Sequence, residues 1–212
     1  MPAASRRWHP CEVDGLTSKL RAAALGVVAL AALTGAPQAV GAAAAGSRNP
    51  FARFPGLRIE HYEVSGRTAE EIRASIDRHR ALAPRSRRRF DGYTFWSMYW
   101  HVPGRPEGPC RVERALVMRQ VTVSLPRLVD SGELSPAVRR RWRTYLRHLE
   151  RHEATHVRHV YDGGRELVRA VRNSDCAAAR GVAEAILEAM HRRNREYDRR
   201  TRHGLLEGAH FP

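Results

Sequence analysis

From Leu57 to Val64 apolar and polar residues alternate with the two-residue period of a β-strand, and Ser65-Gly66 closes the run. Thr68 followed three residues later by Glu71 has the form of a capping box, so a helix is expected from Thr68 to about Leu82, stopped by Pro84 and an arginine-rich loop. Asp91-Gly92 is turn chemistry, and Tyr93 to Val102, rich in Tyr, Trp and Phe, reads as a second strand. A loop containing Pro103, Gly104, Pro106, Gly108 and Pro109 leads to a third strand, Arg111 to Leu125, expected to pair antiparallel with the second.

Beyond this point the period changes. Ser135-Pro136 offers an N-cap with proline at the first helical position, and Val138, Trp142, Tyr145, Leu149, Val160, Leu167 and Val171 recur on one helical face. Gly163-Gly164 is expected to weaken this helix and Asn173-Ser174-Asp175 to end it. A second helix, from about Ala177 to Arg200, places Val182, Ile186, Met190 and Tyr197 on one side. The pattern predicts an α+β domain over residues 57–212: a small antiparallel sheet with one short helix, packed against a long antiparallel two-helix hairpin.

The first long helix carries His152-Glu153-Ala154-Thr155-His156. Histidines four residues apart project from one helix face and can share a zinc ion, while the intervening glutamate can take a proton from water. At about 100° per residue, Glu153 falls near the centre of the apolar stripe, where an unpartnered carboxylate would be costly. The segment therefore predicts a zinc site with Glu153 as general base and peptide or protein as substrate. Tyr93, Trp96, Tyr99 and Trp100 are candidates to line a substrate cleft, and a strand edge beside such a site can take up an extended peptide. No nucleophilic Ser or Cys constellation, phosphate-binding glycine loop or nucleic-acid motif accompanies it.

Composition adds a compartment and a competing reading. Arg6, Arg7, Lys19 and Arg21 precede an apolar run, Ala22 to Leu33, and a small-residue stretch follows Pro37. That order is the one of a secretory signal, so residues 1–45 are expected to be a signal peptide or, uncleaved, a signal anchor, and residues 46–56 a linker. The folded part would then be exported: periplasmic, secreted or envelope-associated, touching the membrane only through the N-terminal segment. Cys11 would leave with the signal, and Cys110 with Cys176 make an even pair expected to form a disulfide. The formal net charge is +15, with Lys19 the only lysine. Clusters such as Arg85, Arg87, Arg88, Arg89 and Arg139, Arg140, Arg141, Arg143 could bind anionic envelope polymers. The alternative to an enzyme is thus a non-enzymatic envelope protein with a structural metal site and an arginine-rich surface.

The segments Val64-Ser65-Gly66-Arg67-Thr68, Asp91-Gly92-Tyr93-Thr94 with Trp96, Leu125-Pro126, the H-E-x-x-H helix and the ending Tyr197-Asp198-Arg199-Arg200-Thr201-Arg202-His203-Gly204 resemble a bacterial family of predicted secreted zinc-dependent proteases. The resemblance covers nearly all of the chain after Asn49 and implies a zinc-dependent peptidase. For the third zinc ligand, Asp162 stands six residues after His156, and His148 and His159 lie in a row with His152 along the helix. With a turn near Asp175, residues around position 196 come level with the motif, which brings Glu196 and His203 into range. His203 belongs to the Thr-x-His-Gly ending, and Gly204 would let the chain leave the helix there, so His203 is the expected ligand with Glu196 and Asp162 as alternatives.

Overall fold

The computed structural model describes residues 49–82, 88–104, 110–129 and 134–212. The expected signal segment lies outside these residues, as do Arg85, Arg87 and the loop positions Pro106, Gly108 and Pro109. The order of elements is β1 (Arg58–Val64), α1 (Ala69–His79), β2 (Ala81–Leu82), β3 (Arg89–Phe90), β4 (Tyr93–His101), β5 (Leu116–Leu128), α2 (Pro136–Arg172) and α3 (Ala179–Thr201), with short 3-10 turns at Val112–Arg114 and Leu205–Glu207. No helix among the described residues is long and apolar enough to cross a membrane.

Local signals set the helix starts. Thr68 accepts the amide of Glu71, and the Glu71 carboxylate accepts the amides of Arg67 and Thr68, so the first turn of α1 is capped from both sides. Ser135 accepts the amide of Val138 ahead of Pro136, and the acceptor side chain meets one of the amides a helix start leaves unpaired. The expected continuation of α1 to Leu82 is corrected: the helix stops at His79, and Ala81–Leu82 instead pairs antiparallel with Arg89–Phe90. Pro84 disfavours helical backbone at the residue before it, and a strand ribbon satisfies the amides that the lost turn would have used.

The main sheet has the order β1-β5-β4, and it is mixed where an antiparallel one was expected. β4 and β5 pair antiparallel from Tyr93↔Ser124 to His101↔Leu116, whereas β1 pairs parallel with β5 from Arg58↔Thr122 to Val64↔Leu128. Having α1 and the β2–β3 ribbon between β1 and β4 gives the chain enough length for the crossover that parallel pairing requires. Pro126 sits in this central strand at a point where β4 has already ended, so only one neighbour asks β5 for hydrogen bonds there.

Val121, Val123 and Leu125 of β5 face α2 and pack with Ile72 and Ile76 of α1 and Leu149, Val157 and Val160 of α2 in one buried cluster. A second, smaller cluster joins Leu167 and Val171 to Ala179 and Ala183 at the far end of the helices. α2 runs unbroken through Gly163-Gly164, because those glycines are sites of close approach. A Cβ on Gly163 would lie 2.5 Å from Met190 of α3, and one on Gly164 would lie 3.3 Å from Met98 of β4. Opposite them, positions further along α3 meet positions earlier along α2, with Met190 beside Gly163, Asn194 beside His156 and Asp198 beside His152.

Cys110 and Cys176 are joined by a disulfide with Cα atoms 6.0 Å apart, tying the segment after β4 to the turn between α2 and α3. The bridge closes a loop across a sequence separation of 66, for which loop entropy gives a stabilisation of at most about 4 kcal/mol. Reduction under native conditions should therefore lower the urea midpoint by the equivalent of about 2–4 kcal/mol without abolishing the fold. An unchanged midpoint with both thiols free in a titration would show that the bridge contributes nothing.

Candidate metal centre

Asp91 is the buried anchor from which the site is built. Arg73 of α1 donates to both of its carboxylate oxygens at 2.7 and 2.9 Å, Tyr145 of α2 donates to it at 3.2 Å, and the Tyr62 hydroxyl of β1 donates to its backbone carbonyl at 2.7 Å. Burial and the Asp91 charge raise the pKa values of Tyr62 and Tyr145, so both phenols stay protonated and remain donors. Fixing Asp91 fixes Gly92, whose missing side chain matters: a Cβ there would come within 2.8 Å of Glu153 Oε1 and 2.9 Å of Leu149. Two residues on, Thr94 donates its hydroxyl to Glu153 Oε2 at 2.7 Å. The carboxylate on the apolar stripe thus finds its partner on β4, and Gly92 leaves the room for it.

His152 and His156 are both buried, and their Nε2 atoms lie 3.3 Å apart. Asp198 of α3 brings Oδ1 to 3.0 Å from His156 Nε2 and 3.4 Å from His152 Nε2. These three residues form the one group among the described residues whose ligand atoms lie close enough to hold a metal ion together. Bonds of about 2.0–2.1 Å to a tetrahedral zinc ion place ligand atoms roughly 3.3–3.4 Å apart, so the observed separations fit the edges of one face of such a site.

The outward-facing ring nitrogens are held as firmly. His152 Nδ1 donates to Glu207 Oε2 at 2.8 Å, and His156 Nδ1 donates to Asn194 Oδ1 at 2.7 Å. The Asn194 amide nitrogen is itself committed to the Met190 carbonyl at 3.0 Å, which leaves its oxygen to face the imidazole. With Nδ1 donating on both rings, the Nε2 lone pairs point to the shared centre, the arrangement by which outer hydrogen bonds orient histidine ligands. Tyr197 stacks on His152 at 4.9 Å and donates to Glu207 at 2.9 Å. Burial and that carboxylate push its pKa up to about 12.

The chain end locks the arrangement. Thr201 donates to the Tyr197 carbonyl and accepts the Gly204 amide, and Arg202, His203 and Gly204 take left-handed backbone angles in succession. This turn folds the chain back over α2 so that Glu207 reaches His152. Gly204 is required there twice: its φ is 80°, and a Cβ would come within 3.2 Å of the His152 ring.

Asp198 stands in the position of the expected third ligand, and His203 lies outside the three-residue group. α3 has ended before it, and the left-handed turn carries its ring to Phe90, 5.0 Å between centroids, with Nδ1 3.6 Å from Asp198. Glu196 points to solvent and pairs with Arg199, and Asp162 pairs with Arg165. His148 packs under Gly208 and His159 shares the Asn194 oxygen at 3.2 Å. Asp198, Asn194, Glu207 and Thr94 are the residues that sequence reasoning missed. A signal for Asp198 existed, since it stands four residues after Asn194 and seven after His191 on one α3 stripe, but the spacing gives no measure of how α3 is rotated against α2.

Beside the group lies a cavity of about 760 Å³ lined by β4 on one side and α3 with the chain end on the other. Of the four aromatics, Tyr93, Trp96 and Tyr99 line it, whereas Trp100 packs against the second, smaller core cluster. Trp96 stacks on His191 across the two walls at 4.6 Å.

Residues 59–204 match the family described as bacterial protein of unknown function (DUF922), and since the match spans most of the chain, the protein belongs to that family. No curated protein and no solved structure matches it.

Without a metal, the cluster binds protons. Burial lowers the pKa values of both histidines, but hydrogen bonds to Asp198 and the nearby Glu153 charge outweigh it, raising His152 and taking His156 up to about 9, while the same contacts hold Asp198 well below its usual range. A raised histidine stabilises the fold fully below its unfolded value of 6.5 and loses that contribution as pH climbs through about 9. Metal-free protein should accordingly lose about 1–3 kcal/mol between pH 6.5 and about 9 in urea titrations, and Asp198→Asn should flatten the decline. A metal-free wild type whose stability does not change over this window would contradict the proposed pairing.

Proposed function

We propose that this member of the family is an exported zinc-dependent peptidase, in which the α2–α3 hairpin carries the H-E-x-x-H histidines. The observation that carries this reading is the convergence of His152 Nε2, His156 Nε2 and Asp198 Oδ1 at tetrahedral edge distances beside a glutamate fixed at the cavity wall. Two imidazoles and one carboxylate are a hard and borderline donor set suited to zinc, and three protein ligands leave a fourth position open, the mark of a catalytic rather than a structural site.

A zinc ion held there would polarise a carbonyl and acidify water. The protein's own residues do the remainder. Glu153 accepts the proton of the attacking water and delivers it to the leaving amine, and the Thr94 hydroxyl keeps its carboxylate aimed through both transfers. Asn194 and Glu207 keep the two imidazole lone pairs in place, and Trp96 with His191 encloses the cavity so that less water surrounds the reacting bond. The competing reading, a structural metal in an arginine-rich binding protein, requires a fourth protein ligand, and the described residues offer three.

Purified mature protein should bind about one zinc per chain by atomic emission, and replacing His152 and His156 together by Ala should abolish it. Asp198→Ala should weaken zinc binding by at least about tenfold, whereas His203→Ala should change it by less than about threefold. Zinc retained at full stoichiometry by the double histidine variant would place the metal elsewhere.

Glu153→Gln keeps the shape and the Thr94 contact but removes the base. The variant should fold, keep zinc and hydrolyse a peptide that the wild type cleaves at least about a hundredfold more slowly. Equal rates for the two proteins would eliminate Glu153 as the base.

A further inference from the structure

The cavity beside the metal centre has an uneven distribution of charge. Its carboxylates are all committed: Asp91 to Arg73, Glu153 to Thr94, and Asp198 to the two imidazoles. Its guanidiniums are committed less fully, apart from Arg80, which pairs with Asp77 and Asp91. Arg202 lines the cavity at the left-handed end of α3, is exposed, and its guanidinium has no hydrogen bond or ion pair with any described residue. Arg89, on the β3 side, donates only to the Arg80 carbonyl and has no carboxylate partner among the described residues. Arg195 pairs with Glu188, but both side chains are more than half exposed, and such surface pairs are weak and readily exchanged.

Two of these cations stand on either side of Asp198 along the cavity wall. Arg195 is three residues before it and Arg202 four after, so the helix rise separates them by roughly 4.5 and 6 Å along the axis in opposite directions. The whole interval, roughly 10 Å, corresponds to about three residues of extended peptide. The other wall is β4, which pairs only with β5 among the described strands and leaves its second edge of amides and carbonyls open. That edge can pair with a chain of amide groups and not with a phosphate polymer.

We infer that the cleft selects acidic peptides, holding carboxylate side chains on both flanks of the scissile bond at Arg202 and Arg195, an inference that rests on the peptidase reading above. Arg202 dominates, because a cation without a partner among the described residues gains most from an arriving carboxylate, and Arg195 must first release Glu188. Arg89 adds field at the mouth rather than a fixed contact.

The test uses the zinc-loaded Glu153→Gln protein, so that binding is read without turnover. Three labelled peptides share one apolar centre and differ only in flanks of Glu, Gln or Lys, and affinity is read by fluorescence anisotropy. The Glu-flanked peptide should bind at least about tenfold more tightly than the Gln-flanked one at low salt, and the gap should shrink in about 0.5 M salt. Adding Arg202→Gln should cut that ratio by about three- to fivefold, and adding Arg127→Gln, on β5 in a surface pair with Glu63 of β1, should leave it unchanged. Equal affinities for the Glu and Gln peptides would overturn the inference. So would an Arg127→Gln effect as large as that of Arg202→Gln, since net charge alone would then be responsible. Polyphosphate of matched charge binding as tightly as the Glu peptide would assign the cleft to a non-peptide polymer and overturn it likewise. Wild-type protein that binds the Glu peptide selectively yet never cleaves it would uphold the acidic preference and remove the peptidase reading, which keeps the two failures distinct.

Discussion

The contact between Asp198 and the paired imidazoles of His152 and His156 is the constraint on which the rest of the structure depends. Two histidines and a glutamate on the buried face of α2 are a liability until something answers their polarity. One answer comes from α3, one from β4 through Thr94, and one from the chain end through Glu207. Three of the elements that pack on α2 thus bring a polar partner to the same short stretch. Away from that stretch the buried contacts with α2 are mainly hydrophobic, with glycine at Gly163 where α3 comes closest. The polar contacts set register and rotation where apolar packing alone would tolerate a slip.

A second set of contacts sits one layer further out. Asp91, gripped by Arg73 from α1 and Tyr145 from α2, holds the turn that begins β4. Arg73 also donates to the Phe211 carbonyl at 3.4 Å, and Phe211 is fully buried against Trp142 and Tyr145. The short helix α1 is therefore not peripheral decoration. It links the strand that holds Glu153 to the segment that holds His152, so disturbance in α1 is transmitted to the centre through two hydrogen-bonded routes.

The sequence made some of this legible and hid the rest for physical reasons. Helix starts were readable because a cap is a local interaction, as at Thr68–Glu71 and Ser135–Pro136. The buried face of α2 was readable because burial repeats with the helix turn, and it correctly carried His152, Glu153 and His156 inward. The parallel pairing of β1 with β5 was not, since nothing within β1 records the direction of a neighbour more than fifty residues away. The third member of the cluster shows the limit most clearly. Counting back from the turn put residues near position 196 level with the motif, and Asn194 and Asp198 are indeed there. Depth along α3 follows from the rise per residue, but facing direction does not: Glu196 and Asp198 differ by about 200° around the axis, and only packing decides which one looks inward.

That third member comes late in the chain. Asp198 follows His156 by 42 positions and Glu207 follows His152 by 55. A growing polypeptide that has already delivered the whole H-E-x-x-H helix still holds two imidazoles with nothing to complete them. The centre is thus absent from any N-terminal fragment that stops short of α3, and proteolytic loss of the final turn would remove the Glu207 carboxylate that orients His152 Nδ1. Assembly of the centre is in this sense a report that the chain has folded through α3, the helix that delivers Asp198.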